Sequence, residues 1–131
     1  MLILREDTKF DGFQDITQFV RDLKCQRVYG YYEDTWMDEE AVVKVMAGAD
    51  GIISIEMIYP GNLEGHETSI IYVDGEEAVT VHLTENVMHE EIRVKPGNIV
   101  ELKFVNNFYM KDAIEQRGEK RFSMLVNLGT S

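Results

Sequence analysis

The sequence lacks the features that place a protein in a membrane or in an oxidising compartment. Its 131 residues include one cysteine, Cys25, so no internal disulfide can form. No apolar run approaches the roughly 20 residues of a membrane span, and the apolar start at residues 1–4 is too short for a signal peptide. A chain of this length buries enough apolar surface to fold without a cross-link. We therefore expect a single domain, residues 1–131, that is soluble and cytoplasmic and has no membrane partner.

Sequence signatures of catalysis are missing as well. There is no Gly-x-Ser-x-Gly elbow, no Walker motif and no Gly-x-Gly-x-x-Gly loop. Cys25 is expected directly after a helix, at the end whose dipole disfavours a thiolate. With 24 acidic residues, neighbouring carboxylates arise easily by chance. The sequence thus favours a binding protein over an enzyme, and a small enzyme would have to use His66 or His82 with a nearby carboxylate.

The three histidines, His66, His82 and His89, do not form a recognisable metal-ligand pattern. No pair has the helical spacing of a zincin, and there is no second cysteine for a zinc site. Residues 61–68 resemble the first metal motif of the cupin family, but Thr68 stands where that family has a second histidine. No correctly spaced glutamate follows it. We therefore predict no metal and no cofactor.

Basic residues are few: 13 lysines and arginines stand against 24 acidic residues, which gives a net charge of −11. A phosphate backbone would be repelled by such a chain unless its basic residues were gathered on one face. The densest basic group, at residues 117–121, is diluted by Glu115 and Glu119. We therefore expect no direct binding of nucleic acid.

Hydrophobic periodicity predicts an α+β fold: a mostly antiparallel sandwich or strongly curved sheet of about seven strands, with two or three short helices, mainly in the N-terminal third. Apolar residues at helical spacing predict a helix over 12–24. Thr35 as a cap, Asp38, Glu39 and Glu40 in a first turn, and Gly48 as a stop predict another. A third helix is predicted near 108–117. Strands are predicted at 2–4, 27–33, 52–59, 68–73, 76–83, 89–95, 99–105 and 122–128.

The segment 29–36 is the most distinctive stretch, because it holds three tyrosines and the only tryptophan. Aromatic rings supply much of the energy at recognition surfaces, and an acidic group follows directly. On a regular strand, Tyr29 and Tyr31 would share one face and Tyr32 the other. The candidate binding residues are Tyr29, Tyr31, Tyr32, Glu33, Asp34, Trp36, Asp38, Glu39 and Glu40.

These residues favour a small acidic intracellular binding protein, an inhibitor, antagonist or immunity-type protein whose partner is another protein with a basic surface. The alternative is a β-sandwich module that binds a carbohydrate or small ligand by aromatic stacking. A further alternative is the small enzyme with a His–carboxylate pair. Homo-oligomerisation is compatible with all three, and the aromatic cluster could also simply pack in the core.

Overall fold

The computed structural model of the chain describes residues 24–109 and 122–130. These stretches form eight strands, which we number in chain order. The strands are β1 (Lys24–Tyr31), β2 (Trp36–Met46), β3 (Ile52–Ile58), β4 (Thr68–Val73), β5 (Glu76–His82), β6 (Val87–Arg93), β7 (Ile99–Asn106) and β8 (Phe122–Thr130). Along the described stretches there is no helical segment of sufficient length and apolar character to cross a bilayer.

The predicted α+β class is wrong, because the described part of the chain is all-β. The helix predicted between Thr35 and Gly48 is instead the long strand β2. The helix predicted at 12–24 lies outside the described residues except for its last residue, which begins β1, and the strand predicted at 2–4 lies outside them entirely. Of the helix predicted near 108–117, only residues 108 and 109 are described, and they are not helical. The expectation of antiparallel strands is confirmed by every pairing in the sheet.

The position of β2 explains why its sequence was mistaken for a helix. Ala41, Val42 and Val43 are all buried, so both faces of the strand are covered at its middle. A strand buried on both faces carries a continuous apolar run, which periodicity alone does not separate from a helix. The β-branched valines are better suited to the pleated strand than to a helix.

The sheet bends at β2 and nearly closes on itself like a barrel. Its strand order is β5-β4-β7-β2-β8-β3-β6, and β1 pairs with β2 outside this path. The first residues of β2 pair with β8, whereas residues 40–46 pair with β7. We call β1, β2, β7, β4 and β5 the first half-sheet, and β8, β3 and β6, with the start of β2, the second half-sheet.

One hydrophobic core joins the two half-sheets. Leu102, Phe104 and Ile71 from the first half and Ile55 and Met124 from the second belong to a single buried cluster. In β3 and β7 the buried residues alternate with residues of the outer face. Two surfaces therefore lie outside the core, one on each half-sheet.

A buried polar network occupies the point where β2 leaves β8 for β7. Asn106 accepts a hydrogen bond from the Ser69 hydroxyl at 2.5 Å and donates to Ser123 Oγ and to the carbonyl of Asp38, each at 3.0 Å. Ser123, the extra residue of a register shift, donates to the carbonyl of Met37 at 2.8 Å. The network thereby satisfies strand carbonyls that regular pairing leaves open where β2 changes partner. We call Ser69, Asn106 and Ser123 the fork network.

Candidate functional site

The aromatic segment is a β-hairpin whose first strand is irregular. β1 and β2 are joined by a turn over residues 32–35, closed by the Thr35 N–H donating to the Tyr32 carbonyl at 2.9 Å. The register shifts twice in β1, between Arg27 and Tyr29 and between Tyr29 and Tyr31. Gly30 has a φ of 74°, and a Cβ there would lie 2.1 Å from the Glu40 carbonyl oxygen. Only glycine fits this close approach.

These irregularities separate two tyrosines that the sequence predicted on one face. Tyr29 is 45% exposed, whereas Tyr31 is buried in the core and its hydroxyl donates to the carbonyl of Val126. Burial raises the pKa of Tyr31 above its ordinary value. The shared-face prediction is therefore wrong, and Tyr31 contributes to the core instead of a binding surface.

Tyr32 and Trp36 lie together at the turn that joins β1 to β2. Both rings contact the buried Phe122, with centroids at 5.3 Å and 5.4 Å. The Tyr32 hydroxyl donates to Asp38 Oδ2 at 2.7 Å. Burial and this hydrogen bond raise the pKa of Tyr32 to about 12. Both aromatic rings are half-buried, so part of each is accessible.

The predicted acidic residues do not converge on one spot. Glu33 and Asp34 are exposed in the turn, and Asp34 Oδ1 accepts the Trp36 N–H at 3.2 Å. Glu39 is half-buried in β2. Glu40 is exposed and accepts a hydrogen bond from the Tyr29 hydroxyl. The predicted surface is thus divided: Tyr29 and Glu40 belong to the first half-sheet, and Tyr32, Trp36 and Asp38 lie at the start of the second.

The outer face of the first half-sheet carries an aromatic and polar strip. Tyr29 pairs with Val42, Val42 with Lys103, and Lys103 with Tyr72, so these side chains follow one another across four strands. Lys103 Nζ lies 3.8 Å from Glu40 Oε2 and 6.0 Å from the centre of the Tyr72 ring. We define the tyrosine strip as Tyr29, Glu40, Lys103 and Tyr72.

The strip is ordered by its own contacts. The hydrogen bond to Glu40, and to a smaller extent partial burial, raises the pKa of Tyr29 to about 12. Its hydroxyl therefore remains a donor well above physiological pH. Glu40 also faces Lys103, and the buried Val42 lies between the two tyrosines in the register. Three interstrand spacings separate β1 from β4, which places the two tyrosine backbones about 14 Å apart. The arrangement offers two rings, one carboxylate and one ammonium on a rigid face.

Sequence reasoning missed Tyr72 and Lys103, because they are about 40 to 70 residues from the hairpin along the chain. The available signal was alternation: Tyr72 follows the buried Ile71 and Lys103 lies between the buried Leu102 and Phe104. That pattern places both side chains outside the core. It does not say that β7 connects β4 to β2, which is what unites the strip.

The outer face of the second half-sheet carries a different feature, an apolar row. Trp36 pairs with Leu125, Leu125 with Ile58, and Ile58 with Val87. Val87 is 46% exposed and the other three are half-buried. We use the name apolar row for Trp36, Leu125, Ile58 and Val87.

The loop before β4 brings together Glu64, His66 and Glu67, whose ligand atoms lie within 4.8 Å of one another. Glu67 is buried, and its carboxylate accepts the backbone N–H of Glu64 at 3.0 Å and of Gly65 at 3.0 Å. Burial alone would raise the pKa of Glu67. Hydrogen bonds from backbone N–H groups and the charge of His66 lower it by more, so the pKa of Glu67 is below its ordinary value. Because these bonds occupy the carboxylate, we interpret the group as a clamp that holds the loop.

Comparisons with known proteins add little to this geometry. No family model matches the chain, and no curated protein matches its sequence. Among solved structures, the fold is similar to a family 35 carbohydrate-binding module from an environmental isolate, with 9% identity and a TM-score of 0.48. The match covers 89% of this chain and 85% of that chain. At this identity and score, the likeness carries no inference about function.

Proposed function

We propose that the chain is an all-β binding module that holds a carbohydrate against the tyrosine strip. The observation that carries this proposal is the alignment of two tyrosine rings, Glu40 and Lys103 across four paired strands of one outer face. Strand pairing through β1, β2, β7 and β4 supports each side chain, so the groups are positioned before the ligand arrives.

The chemistry of the strip suits a sugar. A pyranose ring has an apolar C–H face, which packs on an aromatic ring, and hydroxyls around its rim, which hydrogen-bond to charged groups. Glu40 accepts hydrogen bonds and Lys103 donates them, and their 3.8 Å separation keeps both near the centre of the strip. Glu77 and Glu101 are exposed nearby, and the exposed Lys44 is paired with Glu101, so with Glu40 and Lys103 the carboxylates outnumber the ammonium groups and the face favours neutral over acidic sugars.

The inhibitor or immunity-type interpretation receives less support. It required one surface formed by the hairpin aromatics and acids, and those residues divide between the two half-sheets. Tyr31 in addition belongs to the core.

The proposal is tested by affinity electrophoresis and calorimetry against soluble neutral polysaccharides, such as mannan, xylan and β-glucan, with polygalacturonate as the acidic counterpart. At least one neutral polysaccharide should retard the wild-type chain. Tyr72→Ala should weaken this binding about tenfold, which corresponds to about 1.4 kcal/mol of lost stacking. Tyr72→Phe keeps the ring and should retain binding.

Val87→Asp changes the opposite outer face and is the matched control, so it should leave carbohydrate binding unchanged. The proposal fails if no polysaccharide retards the chain. It also fails if Tyr72→Ala and Val87→Asp weaken binding equally.

A further inference from the structure

The apolar row is unusual because its residues point away from the core. Trp36, Leu125, Ile58 and Val87 are absent from the buried cluster, although each is directly paired with the next. A continuous line of apolar side chains across four strands differs from single exposed apolar residues, which are common on any surface. The row spans three interstrand spacings, about 14 Å.

The polar residues beside the row include Glu56, and an exposed glutamate lies at each of its ends. Asn127 Nδ2 donates to Glu56 Oε1 at 2.9 Å, and His89 Nε2 lies 3.1 Å from Glu56 Oε2, so a polar line runs beside the row. Exposed Glu33 lies in the turn at the Trp36 end, and exposed Glu85 lies in the loop at the Val87 end.

Positive charge is correspondingly scarce on the second half-sheet. β3 and β8 contain no lysine or arginine, and β6 has a single arginine at its last residue, Arg93, opposite Ile52. Arg93 is therefore six residues along β6 from Val87. An apolar centre with an acidic border is complementary to apolar side chains bordered by lysine or arginine.

We propose that the apolar row binds a basic amphipathic helix of a partner protein. Helix residues at i and i+7 span about 10.5 Å and those at i and i+11 about 16.5 Å, so one face of a helix of about three turns is long enough to cover the row. Its apolar anchors would cover Trp36, Ile58 and Val87, and its flanking lysines or arginines would approach the exposed Glu33 and Glu85. This is separate from the carbohydrate proposal, which concerns the other half-sheet.

A second copy of this chain is the less suitable occupant. The chain carries a net charge of −11, so bringing two copies together on their acidic faces is opposed by repulsion. A basic partner instead gains from the same charges and associates faster at low salt.

The test uses a synthetic peptide of about 18 residues, with leucine at helical i, i+3, i+4 and i+7 spacing and lysine elsewhere. The probe is titrated into the full chain while Trp36 emission is recorded, since Trp36 is the only tryptophan. We expect saturable binding with a change in Trp36 emission. The same peptide with glutamate replacing lysine should not bind.

Two valines of nearly equal exposure give a matched pair of variants. Val87→Asp should weaken peptide binding about tenfold or more, whereas Val28→Asp, at a residue 48% exposed on β1, should change it less than about twofold. Circular dichroism checks that both variants fold. Glu33→Gln with Glu85→Gln should flatten the salt dependence, and Glu76→Gln with Glu101→Gln should not.

The proposal is overturned if the lysine peptide shows no binding up to about 1 mM. It is equally overturned if the Val87 and Val28 variants change binding to the same extent, because binding would then not depend on the apolar row. Sedimentation of the chain alone as a dimer that Val87→Asp dissociates would assign the row to a second copy and would also overturn it.

Discussion

The two outer faces of this sheet differ although they cover the same core. On the first half-sheet, the tyrosine strip separates its two rings by charged and aliphatic side chains, and a lysine balances a glutamate. On the second, apolar side chains adjoin without interruption, and exposed Glu33 and Glu85 lie at the two ends. The two half-sheets therefore present outer surfaces with independent chemistry, and substitutions on one face should leave the other unaffected.

The largest effect is expected from a substitution in the shared core, because it should destabilise both outer faces at once. Phe104 is fully buried in β7, below the strip and in the shared core. Phe104→Ala should lower the free energy of unfolding by about 3–5 kcal/mol, measured by urea denaturation. A loss below about 1 kcal/mol would show that the two faces do not depend on one core.

The fork network should have the next largest effect, because it holds the start of the second half-sheet against the first. Asn106→Leu keeps the side-chain size but removes hydrogen bonds to Ser69, Ser123 and the Asp38 carbonyl. We expect a loss of about 2–3 kcal/mol in the free energy of unfolding. Amide hydrogen exchange should show the loss of protection first at the junction of β2 and β8, and unchanged exchange there would contradict this role.

The loss of stability at alkaline pH should distinguish the buried Tyr31 from the exposed Tyr29. The folded-state pKa of Tyr31 and of Tyr29 is raised above the unfolded value near 10, so their contribution to stability is complete below pH 10 and is lost as pH rises further. Tyr31→Phe should remove more of this alkaline loss than Tyr29→Phe, since Tyr31 is buried. Thermal unfolding between about pH 9 and pH 12 measures it, and equal effects would contradict the assignment of the two faces.

The smallest expected effect concerns the loop that precedes β4. Because backbone N–H groups occupy the Glu67 carboxylate, adding a chelator or zinc should leave the melting temperature unchanged. Differential scanning fluorimetry of the wild type provides the measurement, with Glu64→Gln as the control. A shift of several degrees in the melting temperature that Glu64→Gln abolishes would show that Glu64, His66 and Glu67 form a metal site.

Local patterns predicted most of the strands and one turn in detail. The predicted strands 68–73 and 76–83 are separated by Asp74–Gly75, a pair typical of a tight hairpin turn, and both residues have positive φ, 51° and 89°. The long-range order of strands was not predictable, because nothing local to β7 indicates that it joins β4 to β2. The helix prediction failed at β2 because its acidic start and apolar middle are compatible with either structure until both faces are known to be covered.

The candidate site was only partly accessible from the sequence for the same reason. The hairpin of residues 29–36 indicated where aromatics gather, but its bulges decide that Tyr29 faces outward and Tyr31 inward. Those bulges depend on Gly30 meeting the backbone of Glu40, a contact between residues of different strands. Alternation assigned the wrong face because it assumes a regular strand.

The most direct test of the central claim is an amide NMR titration of the wild-type chain with a neutral oligosaccharide taken from the polysaccharide that binds it. Shift changes should concentrate around Tyr29, Glu40, Lys103 and Tyr72, with none at the apolar row. Shift changes centred on Trp36 and Leu125, or no changes at saturating oligosaccharide, would contradict this claim.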